Sequence, residues 1–124
     1  MVGKKLSSGA QLKMDMLVLV RRKWDRVYGL VEQYGAARSS EDQFLSQIAR
    51  ASVDVSRIFM NNGLGVMADT ANQMAMQAKR GTGKPMKLRA MRDYVVSVRQ
   101  AMDRAEKQII DGDKDVPEEG GAGP

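Results

Sequence analysis

The chain has 124 residues, is 43% hydrophobic but only 5% aromatic, carries ten methionines, and contains neither cysteine nor histidine. Those two absences exclude disulfides and thiolate metal ligation, and remove the usual general base, the Ser-His and Cys-His nucleophile pairs and most zinc sites. The net charge of +5 conceals a division: residues 1–110 carry 19 Lys/Arg against 10 Asp/Glu, whereas residues 111–124 carry one Lys against five Asp/Glu.

The first element in the chain is a helix from about Ser8 to Tyr34. Leu17, Val20, Trp24, Val27, Val31 and Tyr34 recur at three- and four-residue steps and so share one stripe. Ser7 or Ser8 is expected to cap its start, and Gly35 to close its end in a left-handed conformation. Within it, Met16–Val20 is the longest uncharged apolar run near the N-terminus. It is too short for a bilayer span or a signal-peptide core, so the expectation is a soluble, cytoplasmic protein with no membrane partner.

The second helix opens at Ser39–Gln43, where Ser40 and Gln43 have capping-box spacing and Glu41 and Asp42 suit the positive end of the helix dipole. Phe44, Ile48, Ala51, Val55 and Ile58 form its stripe, and Asn61-Asn62-Gly63 is its stop. The third helix runs from about Leu64 to Arg80 on Leu64, Met67, Ala71, Met74 and Ala78, and Gly81-Thr82-Gly83 ends it. Its small residues permit close approach of a neighbour. The fourth starts near Pro85, a residue favoured at helix starts, and repeats Leu88, Met91, Val95, Val98, Met102, Ala105 and Ile109.

No segment alternates as a strand. The expected architecture is therefore all-α: an antiparallel bundle of about four helices over 8–110, after a flexible N-terminus at 1–7 and before a disordered acidic tail at 111–124. The two long helices are expected to extend past the shorter middle pair.

Most apparent chemistry fails on context. Gly63–Ala68 matches GxGxxA, but a helix precedes it where a dinucleotide fold needs a strand. Gly81-Thr82-Gly83-Lys84 lacks the full phosphate-loop pattern, since Pro85 follows the lysine. The carboxylates lie off the apolar stripes and do not converge. The sequence is read as a non-enzyme with no catalytic residue, no cofactor and no metal.

The cations are better organised. Lys79, Arg80, Lys84, Lys87, Arg89 and Arg92 fall within fourteen residues with no acid among them. Arg21, Arg22, Lys23 and Arg26 form a second group beside Asp25. Arg50 and Arg57 share a helix face, as do Arg92 and Arg99. The candidate nucleic-acid contacts are Arg21, Arg22, Arg26, Arg50, Arg57, Lys79, Arg80, Lys84, Lys87, Arg89, Arg92 and Arg99. Arginine outnumbers lysine 11 to 9, and its planar fork suits bidentate phosphate contacts with a salt-sensitive, sequence-independent grip. Replacing Lys84, Lys87, Arg89 and Arg92 together is expected to weaken binding with little loss of stability.

The run Arg57-Ile58-Phe59-Met60-Asn61-Asn62-Gly63-Leu64-Gly65-Val66-Met67-Ala68 resembles the helix–Asn-Gly-Leu–helix junction of the small subunit in type III RNA-targeting CRISPR effector complexes. The resemblance implies a non-catalytic subunit of a multisubunit antiviral-defence complex. It would self-associate along larger effector subunits and contact guide RNA and target strand. Two other readings stand beside it: a phage or plasmid DNA-handling protein, such as a small packaging subunit or head adaptor, and a protein–protein adaptor gripping a partner through Met14, Met60, Met76 or Met86.

Overall fold

A computed structural model of the chain describes residues 6–115, with side-chain surroundings for 6–112. It contains four helices, α1 (Ser8–Ala36), α2 (Glu41–Asn61), α3 (Gly65–Lys79) and α4 (Lys84–Asp115), and no strand among the described residues. Sequence neighbours pack together, and α1 packs on α4. The backbones of the diagonal pairs α1/α3 and α2/α4 stay further apart among the described residues. The helices thus form an antiparallel ring of four around one core, as short connections between long helices require. Helix α4 runs into the stretch expected to be tail. The rest of that stretch, 116–124, and residues 1–5 of the expected flexible N-terminus lie outside the described residues.

The α1 stripe is buried in full: Leu17, Val20, Trp24, Val27, Val31 and Tyr34 all face the core, with Leu30 added. From α4, Met91, Val95, Val98 and Met102 meet them, while Leu88, Ala105 and Ile109 are half-buried. The seam between these two helices has one register. Glu32 pairs with Arg92, Asp25 with Arg99, and Arg21 with Asp103, and in each pair the residue numbers sum to 124. Beneath the ladder the fully buried Trp24 donates its indole N–H to the carbonyl of Val95 at 3.1 Å. Near one end Gly35 lets the helices close: a Cβ there would meet Leu88 Cδ2 at 3.1 Å. Gly35 is therefore a contact residue inside α1. The expected left-handed stop is not there; α1 ends at Ala36, with Ala37 in extended backbone.

The two inner helices use small residues. Ala49, Ser52 and Ser56 of α2 are buried, as are Ala68, Ala71, Ala75 and Ala78 of α3, and Ser56 Oγ donates to the Ala68 carbonyl at 2.9 Å. The stripe expected on α2 is thus rotated: Ile48 and Val55 are core, Phe44, Ala51 and Ile58 are half-buried, and Phe59 is fully buried. Close approach to α3 demands small side chains, and two of those chosen are serines.

The caps divide in the same way. Ser7 Oγ accepts the Ala10 N–H at 3.2 Å, as a serine N-cap should. Ser40 does not act so. It sits in left-handed backbone (φ 59°) with no side-chain cap, and only its carbonyl joins the turn, accepting from Gln43 N–H at 3.1 Å. The expected capping box is absent: a serine N-cap uses extended backbone, which Ser40 does not have. The stop after α2 is a left-handed glycine stop. Gly63 has φ 73°, its N–H reaches the Met60 carbonyl at 3.1 Å, and the Leu64 N–H reaches Phe59 at 2.9 Å. Asn62 Nδ2 covers the Ile58 carbonyl at 2.7 Å, and Leu64 packs on the core.

Ser52 Oγ is buried without a hydrogen-bond partner, the only such side-chain atom among the described residues. Removing an unsatisfied hydroxyl relieves its desolvation cost, so Ser52→Ala should be neutral or stabilise the fold. Ser56→Ala should cost on the order of 1 kcal/mol, since it takes away a hydrogen bond that is made. In urea unfolding, Ser56→Ala should lower the midpoint and Ser52→Ala should not.

Candidate nucleic-acid interface

The loops 37–40 and 80–83 lie at the same end of the ring, and the first turns of α4 carry lysines that reach across it. Lys84 Nζ donates to the Ala37 carbonyl just past α1 at 2.8 Å and to Glu41 Oε2 at 2.7 Å. It also lies 5.1 Å from the centre of the Tyr34 ring. Lys87 is 6% exposed, and its Nζ donates to the Ala78 carbonyl in the last turn of α3 at 3.2 Å. Each lysine holds the electronegative end of a different helix, where carbonyls lack intrahelical donors.

Three further candidates belong to the α1–α4 seam. Arg92 makes a two-pronged contact with Glu32, 2.8 Å in each arm. Arg99 reaches Asp25 at 3.0 Å and stacks 4.7 Å over Tyr28. Arg21 bridges Asp103 at 2.9 Å and Glu106 at 2.7 Å. The Arg92 hydrogen bond holds the Glu32 carboxyl below its ordinary range despite some burial. Burial pulls the Arg21 guanidinium down, but the hydrogen bonds to its two acids outweigh it and leave it raised. Burial pushes the Tyr34 phenol up, and the Glu41 charge adds to it. These cations are neutralised within the fold. Lys84 and Arg92 have carboxylate partners inside the fold, so replacing Lys84, Lys87, Arg89 and Arg92 together is now expected to cost stability through those two positions.

The other candidates are placed differently. Arg22, Arg26, Arg50, Lys79, Arg80 and Arg89 are exposed, with no acidic partner among the described residues. Arg57 has one, a loose 3.3 Å contact to Asp54 in the same helix. Arg50 sits where two grooves meet. One, of about 340 Å³, lies between α1 and α2 and is lined by Lys23, Arg26, Gln47, Arg50, Ala51 and Asp54. The other, of about 780 Å³, lies between α2 and the α3–α4 turn; Arg50, Arg57, Lys79, Arg80 and Lys87 line it against Asp42 and Asp54. Helix α2 is thus a ridge with cations on both flanks. No aromatic side chain lines either groove.

The arrangement brings together Arg26, Arg50, Arg57, Lys79, Arg80 and Lys87. Arg22 and Arg89 line neither groove, and Arg21, Arg92 and Arg99 lie along the seam. Lys23, a member of the second basic group, joins the candidates as a groove-lining residue. Arg38, exposed in the α1–α2 loop, lines neither groove. Among the described residues no group of three or more acidic side chains is placed to hold a metal ion, and no helix is long and apolar enough to cross a membrane. No protein-family model matches the chain, and neither a curated protein nor a solved structure matches it.

Lys84→Ala should destabilise the fold by on the order of 1 kcal/mol by removing its helix-end contacts. Arg50→Ala and Arg80→Ala should stay within about 0.5 kcal/mol of wild type, as exposed unpaired side chains do; urea midpoints separate the two classes. A second check uses acid. The Glu32 carboxyl is depressed, so its stabilisation is present above its ordinary value of 4.5 and is lost as the pH falls through the lower folded-state value. Wild type should be more stable than Glu32→Gln at neutral pH, and the gap should close as the pH falls through that window, measured as urea midpoints across an acid series.

Proposed function

We propose that this chain is a non-catalytic module that grips the nucleic-acid backbone, with α2 as the contact helix. One observation carries the reading: Arg21, Lys84, Arg92 and Arg99 are paired with carboxylates inside the fold, while Lys23, Arg26, Arg50, Lys79 and Arg80, which have no acidic partner among the described residues, line the two grooves that flank α2. Cations left without carboxylates and gathered beside grooves form an electrostatic footprint for phosphate. The lack of aromatics in those grooves favours contact with backbone over stacked single-strand bases.

The finer proposal is a small structural subunit of an RNA-guided effector complex, supported by the resemblance over residues 57–68. Asn62, Gly63 and Leu64 each also have a local role in stopping α2, so the coarser reading is independent of that resemblance. For the adaptor reading, Met60, Met76 and Met86 are exposed but belong to three different helices, and Met14 is half-buried.

The test is the salt dependence of binding to a short duplex, followed by fluorescence anisotropy. The variant Arg26→Ala/Arg50→Ala/Arg57→Ala/Arg80→Ala should bind more weakly, and its log–log salt slope should flatten by about 0.9 for each phosphate of B-form DNA that the variant no longer neutralises. Arg92→Ala and Arg99→Ala, checked for folding, should keep the wild-type slope. Equal slopes for the quadruple variant and wild type would sink the proposal. Purification from the native cell then tests the finer one, which requires guide RNA and larger effector subunits to be recovered with the chain.

A further inference from the structure

The groove between α2 and the α3–α4 turn differs from the rest of the basic surface in having a buried cation in its wall. Lys87 is 6% exposed, yet lines this groove. Its Nζ makes one hydrogen bond, to the Ala78 carbonyl. An ammonium has three N–H donors, so two are left over. No carboxylate lies within ion-pair distance of it among the described residues, although the ladder along the seam supplies acids freely to Arg21, Arg92 and Arg99. A buried ammonium facing a neutral carbonyl is an incompletely compensated charge. Arg50, Arg57, Lys79 and Arg80 line the same groove. The two carboxylates present, Asp42 and Asp54, leave the cations in excess, and Asp54 is within reach of Arg57.

We infer that this groove is a phosphate-binding site in which Lys87 is the buried contact and Arg50, Arg57, Lys79 and Arg80 close around the anion from the rim. The inference rests on the backbone-binding reading for its ligand: the phosphate is that of a nucleic-acid backbone, entering over Arg50 from the flank of α2. A dehydrated phosphate oxygen would take the free donors of Lys87, and the guanidinium groups would take the remaining oxygens in forked contacts. Lys87 would then serve two groups at once, the end of α3 and the bound anion. Binding should therefore tighten the α3–α4 turn and stabilise the folded state.

The experiment is thermal unfolding of the full chain in inorganic phosphate against chloride at equal ionic strength, with duplex displacement by phosphate under the same conditions. Phosphate should raise the melting temperature by several degrees over chloride and displace duplex beyond the ionic-strength effect. In Lys87→Met, which keeps length and apolar volume, the melting temperature in chloride should be unchanged or higher and the phosphate shift should vanish. Lys79→Ala/Arg80→Ala, with both residues exposed and unpaired, should weaken phosphate binding by about tenfold without altering stability in chloride. This second variant decides the matter should Lys87→Met fail to fold. Equal melting in phosphate and chloride, or a full phosphate shift in either folded variant, overturns the site. A wild-type duplex that still binds with a steep salt slope while phosphate gives no shift would remove the site and leave the backbone reading standing. Absence of duplex binding removes the backbone reading and, with it, the assigned source of the phosphate.

Discussion

The seam between α1 and α4 is the constraint on which the rest of the molecule depends. These are the longest helices, 29 and 32 residues, or about 43 and 48 Å at 1.5 Å per residue. They are joined only through the other two. Their register is set by three ion-pair positions in one phase and by the Trp24 indole on a backbone carbonyl beneath them. Each exposed pair contributes little alone, and apolar burial supplies most of the energy. What the charges add is uniqueness of alignment, because a shift by one turn would separate every pair at once. With that register fixed, α4 presents Lys84 to the end of α1 and Lys87 to the end of α3, so the two loops at that end are positioned by the long pair.

This division of labour among cations explains why the basic surface is smaller than the composition suggests. The run from Lys79 to Arg92 reads as one patch along the chain, but a helix turns its residues by about 100° each. Lys84, Lys87, Arg89 and Arg92 therefore leave in different directions: toward α1 and α2, toward α3, toward solvent, and toward Glu32. Of the cations left exposed, those that share grooves flank α2, a helix that offers the sequence pattern only two arginines seven residues apart.

Much of the fold was legible in the sequence because its signals are local. The α1 stripe, the Ser7 cap and the Asn-Gly stop after α2 are each determined within a few residues. What could not be read depends on a neighbour. Ser52 and Ser56 look like solvent-facing residues, and only the approach of α3 makes a small side chain worth more there than a large apolar one. Gly35 looks like a terminator, and only Leu88 shows it to be a clearance. Ser40 has the composition of a cap but the backbone of a turn. The same holds for the site: the partners of Arg21, Arg92 and Arg99 lie 60 to 85 positions away, beyond the reach of any spacing rule, so engaged and free cations could not be told apart.

The cyclic order of the helices also shapes how the chain reaches its native state. Contacts within the α1–α2, α2–α3 and α3–α4 hairpins join segments adjacent in sequence and form at low loop-closure cost. The α1–α4 contact joins the two ends, and its entropy is met in one step rather than spread over the structure. Closure of the ring is thus the natural last event in folding, and opening of the same seam the natural first event in unfolding. The far ends of α1 and α4, opposite the end held by Lys84 and Lys87, are where that opening would begin to exchange its amide protons.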